Sequence, residues 1–201
     1  MEKKLPVITI SREYAAYGRT IAAGLSEHLG IPYYDKDFVK ETAKSSGYSE
    51  EDILKEGESM SRSSKFMNAL LNNASSYASS YDGIYKAQKE VILELAKQPC
   101  IIVGRCADHV LREAGIESFD IFLYADTEAR LERAKQLEGN QGLSESELRK
   151  VISKKDQHRS TYYKTYTKKD MGYYKNYNIC LDVGRIRVEN CLKLLCEILD
   201  Q

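Results

Sequence analysis

No charge of either sign is left over in this chain: among its 201 residues, thirty acidic side chains cancel thirty basic ones. Without a global field the protein has no broad means of holding DNA or an anionic membrane, so phosphate binding has to be local. No apolar stretch approaches the length of a membrane span, and the charged start MEKKLP runs at once into a strand pattern rather than a signal-peptide core. The five cysteines, Cys100, Cys106, Cys180, Cys191 and Cys196, include no C-x-x-C pair and are odd in number. That argues against both a zinc site and a disulfide framework, and fits a reducing cytoplasm. His28, His109 and His158 lack metal-ligand spacing, and none neighbours a serine or cysteine as the base of a nucleophile would.

What is present is an alternation of strand and helix patterns. Val7 to Ile10 is a β-branched run, followed by Ile21, Ala22, Leu25 and Leu29 at helical spacing until Gly30 supplies a stop. Ile31 to Tyr34 reads as a second strand with Asp35 at its carboxyl end. CIIVG (100–104) and DIFLYA (120–125) are near-continuous, as in strands covered on both faces, and ICLDV (179–183) makes a fifth. Helical patterns lie between them: Val91, Ile92, Leu95 and Ala96, then Val110, Leu111 and Ala114 closed by Gly115. Ser144 with Glu147 forms a capping box that predicts a new helix start. The last helix carries Val188, Cys191, Leu192, Leu195, Ile198 and Leu199 on one face, which is plain core packing. The alternation predicts one α/β domain with a mostly parallel five-stranded sheet flanked by helices, and ligands outside the carboxyl ends of the strands. Residues 36–84 depart from the pattern, with acidic SEEDILKEGE and serine-rich stretches. They fit either a helical, mobile insertion or a poorly ordered surface excursion.

The stretch SREYAAYGRTIA (11–22) occupies the turn where a phosphate-binding loop belongs, between a buried strand and a helix N-terminus. Taken as G-x-x-x-x-G-K-[ST], the motif fails, because Gly18, Arg19 and Thr20 fill its end only with Glu13 for the first glycine and Arg19 for lysine. Arg105 follows the third strand at the same sheet edge. Arg130 and Arg133 lie three apart on the helix opened by Asp126-Thr127-Glu128, and Asp156 and Arg159 repeat that spacing on the helix from Ser144. Such cations suit a polyphosphate, although most charge pairs at this spacing are ordinary solvated faces. Tyr162, Tyr163, Tyr166, Tyr173, Tyr174 and Tyr177 alternate with Lys164, Lys168, Lys169 and Lys175. In a neutral chain they read as packing between lid and core rather than as a nucleic-acid surface.

ITISREY with GR near the N-terminus, IPYYDKD after the first helix, PCIIVGRCAD and DQHRSTYYKTYTKKDMG occur in order across nearly the whole chain. Together they resemble the cytidylate kinase-like family of bacterial P-loop proteins. The resemblance implies a nucleoside monophosphate kinase fold, a P-loop NTPase-like domain over 1–201 with a helical acceptor-binding arm at 36–98 and a lid at 130–165. It also implies γ-phosphoryl transfer from ATP, with Mg²⁺, to a nucleotide such as CMP. Position by position, Ser11, Arg12, Ala15, Ala16, Tyr17, Gly18, Arg19 and Thr20 fill the phosphate loop, with Thr20 near the metal. Asp35, Arg105, Asp156 and Arg159 match acceptor-side positions, and Arg19, Arg130 and Arg159 are the cations expected around the transferring group.

In an ungapped comparison the loop lysine falls on Gly18 and the glycine after it on Arg19, while relatives usually read SREYGSGGR. Ala15, Ala16 and Tyr17 are therefore departures that would strain a backbone of positive φ by roughly 1 kcal/mol each. The acceptor-phosphate arginine of cytidylate kinases falls near Lys40 and Glu41. These losses motivate the competing reading, a non-catalytic nucleotide sensor or an interaction protein with a degenerate loop. The partners expected are small-molecule nucleotides, with neither nucleic acid nor membrane, and homo-oligomerisation is left open.

Overall fold

The computed structural model describes residues 7–35, 80–104 and 106–200. Lys40, Glu41, the serine-rich stretch and Arg105 lie outside them. Among the described residues five strands form one parallel sheet: β1 (Val7–Arg12), β2 (Tyr33–Tyr34), β3 (Ile101–Val103), β4 (Ser118–Tyr124) and β5 (Ile179–Asp182). Their spatial order is β2-β3-β1-β4-β5. The helices are α1 (Gly18–Leu29), α2 (Ser80–Leu95), α3 (Ala107–Glu113), α4 (Thr127–Gln136), α5 (Glu145–Thr167) and α6 (Val188–Leu199).

Alternation along each strand decides which layer it serves. Ile8, Ile10, Ile101, Val103, Ile121 and Leu123 face α1 and α6, where they meet Ile21, Leu25, Cys191 and Leu195. Val7, Cys100 and Ile102 face the opposite layer, with Val91 and Ile92 of α2 and Val110 and Leu111 of α3. Each fully buried Ile or Leu contributes about 1.5–3 kcal/mol by leaving water, so both layers are held chiefly by these strands. α2, at the end of the stretch read as an arm, packs on β3 and α3 as a core helix.

The predicted helix ends are realised. Gly30 and Gly115 adopt φ of 67° and 68°, conformations that glycine takes at little cost. At the start of α5 the Ser144 side chain accepts from Glu147 N, and Ser144 N donates to Glu147 Oε2 at 2.8 Å. Replacing Ser144 by Ala removes this cap, and chemical denaturation is expected to register a loss of about 1 kcal/mol.

The order of the strands also makes a crevice. The chain leaves β1 on the α1 side of the sheet and leaves β3 on the α3 side. The loops after these adjacent strands therefore diverge, opening a cleft at their carboxyl ends.

Candidate active site

Arg12 is the last residue of β1, and the loop from Glu13 to Tyr17 carries the chain into α1. Ala15 and Tyr17 have φ of 61° and 57°, the left-handed geometry expected where relatives carry glycine. Ala16 does not, so the expectation of strain at all three positions is corrected: the departure at Ala16 costs nothing of this kind. The two strained residues are held by packing. The Ala15 methyl is buried with Leu131, Ala134, Leu148 and Ile152 of α4 and α5. Tyr17 packs on the main core, and the Arg133 guanidinium lies 5.1 Å from its ring centroid. Burial of these side chains offsets the roughly 1 kcal/mol that each left-handed residue costs.

Tyr17 caps α1 without a side-chain hydrogen bond, and the first intrahelical donor after it is Ile21 N, 3.0 Å from Tyr17 O. The N–H groups of Gly18, Arg19 and Thr20 precede that bond and have no acceptor within the helix. Three aligned donors at a helix N-terminus attract an anion. Thr20 is exposed beside them.

Two clusters of charge frame these amides. On the β2 side Asp35 receives a hydrogen bond from Arg19 Nε, and its Oδ1 lies 3.9 Å from Arg12 Nη2. On the β4 side Arg130 is buried, its Nη1 donating to Asp156 Oδ2 at 2.6 Å and to Tyr14 O at 3.0 Å, with Glu13 Oε2 3.5 Å from Nη2. Asp156 Oδ1 also accepts from Tyr14 N at 2.6 Å. Arg159 Nη1 donates to Arg12 O at 3.2 Å, and its guanidinium lies 5.5 Å from the Tyr14 ring centroid. Burial pushes the Glu13 carboxyl above its ordinary value against the opposing pull of Arg130 and of the bond from Ala125 N.

Arg19, Asp35, Arg130, Asp156 and Arg159 thus gather around one loop. Arg130 and Asp156 meet each other, and Asp156 also lines the cleft. Ser11 ends buried in β1. An open cleft of about 490 Å³ adjoins the loop, with Glu13, Asp156, Gln157 and Ser160 on its polar wall and Phe122 and Tyr124 on its aromatic one.

Two features escaped the sequence reading. Tyr14 is the hub between the loop and helices α4 and α5: besides Arg130, Asp156 and Arg159 it holds Asn140, whose Nδ2 donates to its hydroxyl at 3.0 Å. Its only signal was its place within ITISREY. The second is Asp108, fully buried on α3, whose Oδ2 accepts from the Tyr163 hydroxyl at 2.6 Å while Oδ1 receives no hydrogen bond. Burial raises the Asp108 carboxyl to about 6. It also raises the phenols of Tyr163 and Tyr177. Tyr162, Tyr163 and Tyr177 are buried, whereas Tyr173 and Tyr174 are exposed.

Among the described residues no helix is long and apolar enough to cross a membrane, and no cluster of three His, Cys, Asp or Glu side chains is placed to hold a metal by itself.

Comparison with known proteins adds the following. The model of the cytidylate kinase-like family matches residues 7–185. None of the curated proteins matches this chain. A crystal structure of an uncharacterized protein from Eubacterium ventriosum is similar at 23% identity and a TM-score of 0.71, covering 98% of this chain and 99% of that one. Shikimate kinase from Bacteroides thetaiotaomicron is similar at 14% identity and a TM-score of 0.59, covering 98% and 99%. Shikimate kinase from Acinetobacter baumannii, solved with shikimate, follows at 16% identity and 0.51, covering 96% and 94%. At these identities the likeness establishes the fold, a parallel five-stranded sheet flanked by helices.

Proposed function

We propose that this chain, which belongs to the cytidylate kinase-like family, transfers the γ-phosphoryl group of ATP to a nucleoside monophosphate of the CMP type. The observation that carries the reading is the convergence of the acceptor-free amides of Gly18, Arg19 and Thr20 with the guanidinium groups of Arg12, Arg19 and Arg159 at the carboxyl edge of the sheet.

In this reading the amides of Ala15 and of Tyr17 to Thr20 receive the donor phosphates while Ala16 N–H closes the turn on Glu13 O, and Arg19 steadies the phosphates from the outer side. Arg159 reaches the transferring group from α5. Arg130 works through the loop, holding the Tyr14 carbonyl and Asp156 so that the amides keep their direction. Asp35, Arg105 and Asp156 serve the acceptor side. The acceptor enters the cleft beside Glu13, where the Phe122 and Tyr124 wall suits a flat ring and Gln157 and Ser160 offer hydrogen bonds. The chain's part in catalysis is then positioning and neutralisation of charge, without a covalent intermediate.

The donor set suits Mg²⁺ carried on the nucleotide. Such an ion keeps several waters and binds mainly through phosphate oxygens, so one hydroxyl, that of Thr20, is an adequate protein ligand. When bound, the ion supplies neutralisation of the phosphate charge.

A second reading, a nucleotide sensor without turnover, is favoured by one specific feature, the loss of loop lysine and glycines at a strained loop. Coupled detection of ADP with ATP, Mg²⁺ and each monophosphate separates the two. The kinase reading predicts ADP formation that depends on the acceptor. Thermal stabilisation by nucleotide with no ADP for any acceptor would overturn it in favour of the sensor.

A further inference from the structure

We propose that Arg12 supplies, from the strand side of the loop, the positive charge that glycine–lysine phosphate loops take from the position of Gly18. The proposal rests on the phosphate-loop reading above and identifies the residue that completes it.

In the motif spacing, a lysine at position 18 places the first glycine of the loop at position 12. This chain has the reverse arrangement, arginine at 12 and glycine at 18. The structure gives that exchange a physical basis. A Cβ on Gly18 would lie 3.0 Å from Arg12 Cγ and 3.2 Å from Cδ, closer than real Cβ atoms comfortably approach. The stem of Arg12 therefore fills the space into which a side chain at 18 would start. The two positions are alternative roots for one side chain.

From there the guanidinium runs over Gly104, at the end of β3. A Cβ on that glycine would overlap Arg12 Nη1, and its φ of 85° also favours glycine. It ends with Nη2 3.9 Å from Asp35 Oδ1. This path crosses the gap between β1 and β3, where the outgoing loops diverge and ligands of such sheets collect. The cation thus lies beside the amides of α1, on the β3 side of the loop and against Asp35. Arg19, by contrast, leaves α1 outward, with its side chain 58% exposed. A guanidinium is permanently charged and can bind two phosphate oxygens at once, so Arg12 would bridge oxygens where a lysine contacts them as a point charge.

Calorimetric titration with Mg·ATP of the wild type, R12A, the exchange variant R12G/G18K and the control K193A, at an exposed position of α6, tests this. Circular dichroism confirms folding in each case. R12A is expected to weaken binding by about tenfold or more, as loss of a charge-assisted contact implies. K193A should stay within about twofold of the wild type, and R12G/G18K should recover to within about threefold by returning the cation from the other root. A merely structural role for Arg12 would not be rescued by a lysine at 18. Should R12A fail to fold, the folded exchange variant carries the test, with R12G, which has no side chain at either root, as its weak-binding reference.

R12A within twofold of the wild type, or an exchange variant no tighter than its reference, overturns the proposal while leaving the phosphate-loop reading standing. A wild type that does not bind Mg·ATP overturns both.

Discussion

Replacing Asp156 by Ala is expected to destabilise the protein by about 3 kcal/mol, because removing one partner of a buried ion pair strands the other charge. Arg130 is the charge that would be stranded: its side chain is only 6% exposed, and Asp156 is its nearest carboxylate at 2.6 Å. Glu13, at 3.5 Å, offers partial compensation, which keeps the expected loss at the lower end for a broken buried pair. The same substitution deprives Tyr14 N–H of its acceptor. For a domain of this length the loss corresponds to a fall in Tm of roughly 6–12 °C. Asp156→Asn retains an acceptor oxygen and should cost about half as much. The functional consequence follows from the same contacts: Tyr14 is fixed to α4, α5 and the turn between them through Asp156, Arg130, Arg159 and Asn140, so the amides just beyond it lose their direction. Mg·ATP affinity is expected to fall with stability, and a D156A variant that loses less than about 1 kcal/mol would show that the pair does not hold the loop.

The second large effect concerns Asp108 and its dependence on pH. Burial raises its carboxyl from an unfolded value of 3.8 to about 6 in the folded protein. The unfolded chain therefore releases this proton at lower pH than the folded one. The stability associated with the group is fully present below about pH 3.8 and is lost as pH rises through about 6. Between those limits the wild type should lose roughly 2–3 kcal/mol that Asp108→Asn does not lose. Because the Tyr163 hydroxyl can still donate to a carboxamide oxygen, the variant keeps the helix α3 to α5 contact. Urea denaturation of both proteins from pH 4 to pH 7.5 provides the measurement. The stability of the wild type relative to the variant is expected to decline from pH 4 to about pH 6 and then level off, and a difference that stays flat across the whole range would contradict the account.

The layers of the fold were legible because local pattern and tertiary burial agree. CIIVG and DIFLYA are near-continuous apolar runs, and they become β3 and β4, with Ile101 to Val103 and Ile121 to Leu123 buried. Gly30, Gly115 and the Ser144–Glu147 box are local stereochemical signals, and they lie at helix boundaries in the fold. The site was legible as a set of residues but not as a set of contacts. That Ala15 and Tyr17 take left-handed geometry follows from the glycines they replace. That Ala16 does not agrees with the serine, rather than glycine, of SREYGSGGR at that position.

Pairing across distance was hidden for the same reason. Arg130 and Asp156 are separated by 26 residues and Arg19 and Asp35 by 16. Arg19 and Asp35 meet because β2 returns beside the start of α1 at one sheet edge, and Arg130 and Asp156 meet because α4 packs on α5. Arg12 attracted notice only as a member of the loop, because the contact that defines it, its stem lying where a side chain on Gly18 would begin, has no trace in residue spacing.

The account depends most on the turn after β1 being an anion receptor. Amide chemical shifts of isotopically labelled protein titrated with Mg·ATP report on those N–H groups directly. The expected result is a saturable change centred on Ala15 to Thr20, with smaller responses at Arg12 and Asp35. Saturation that moves amides elsewhere and leaves those six unchanged, or no response at millimolar nucleotide, would contradict it.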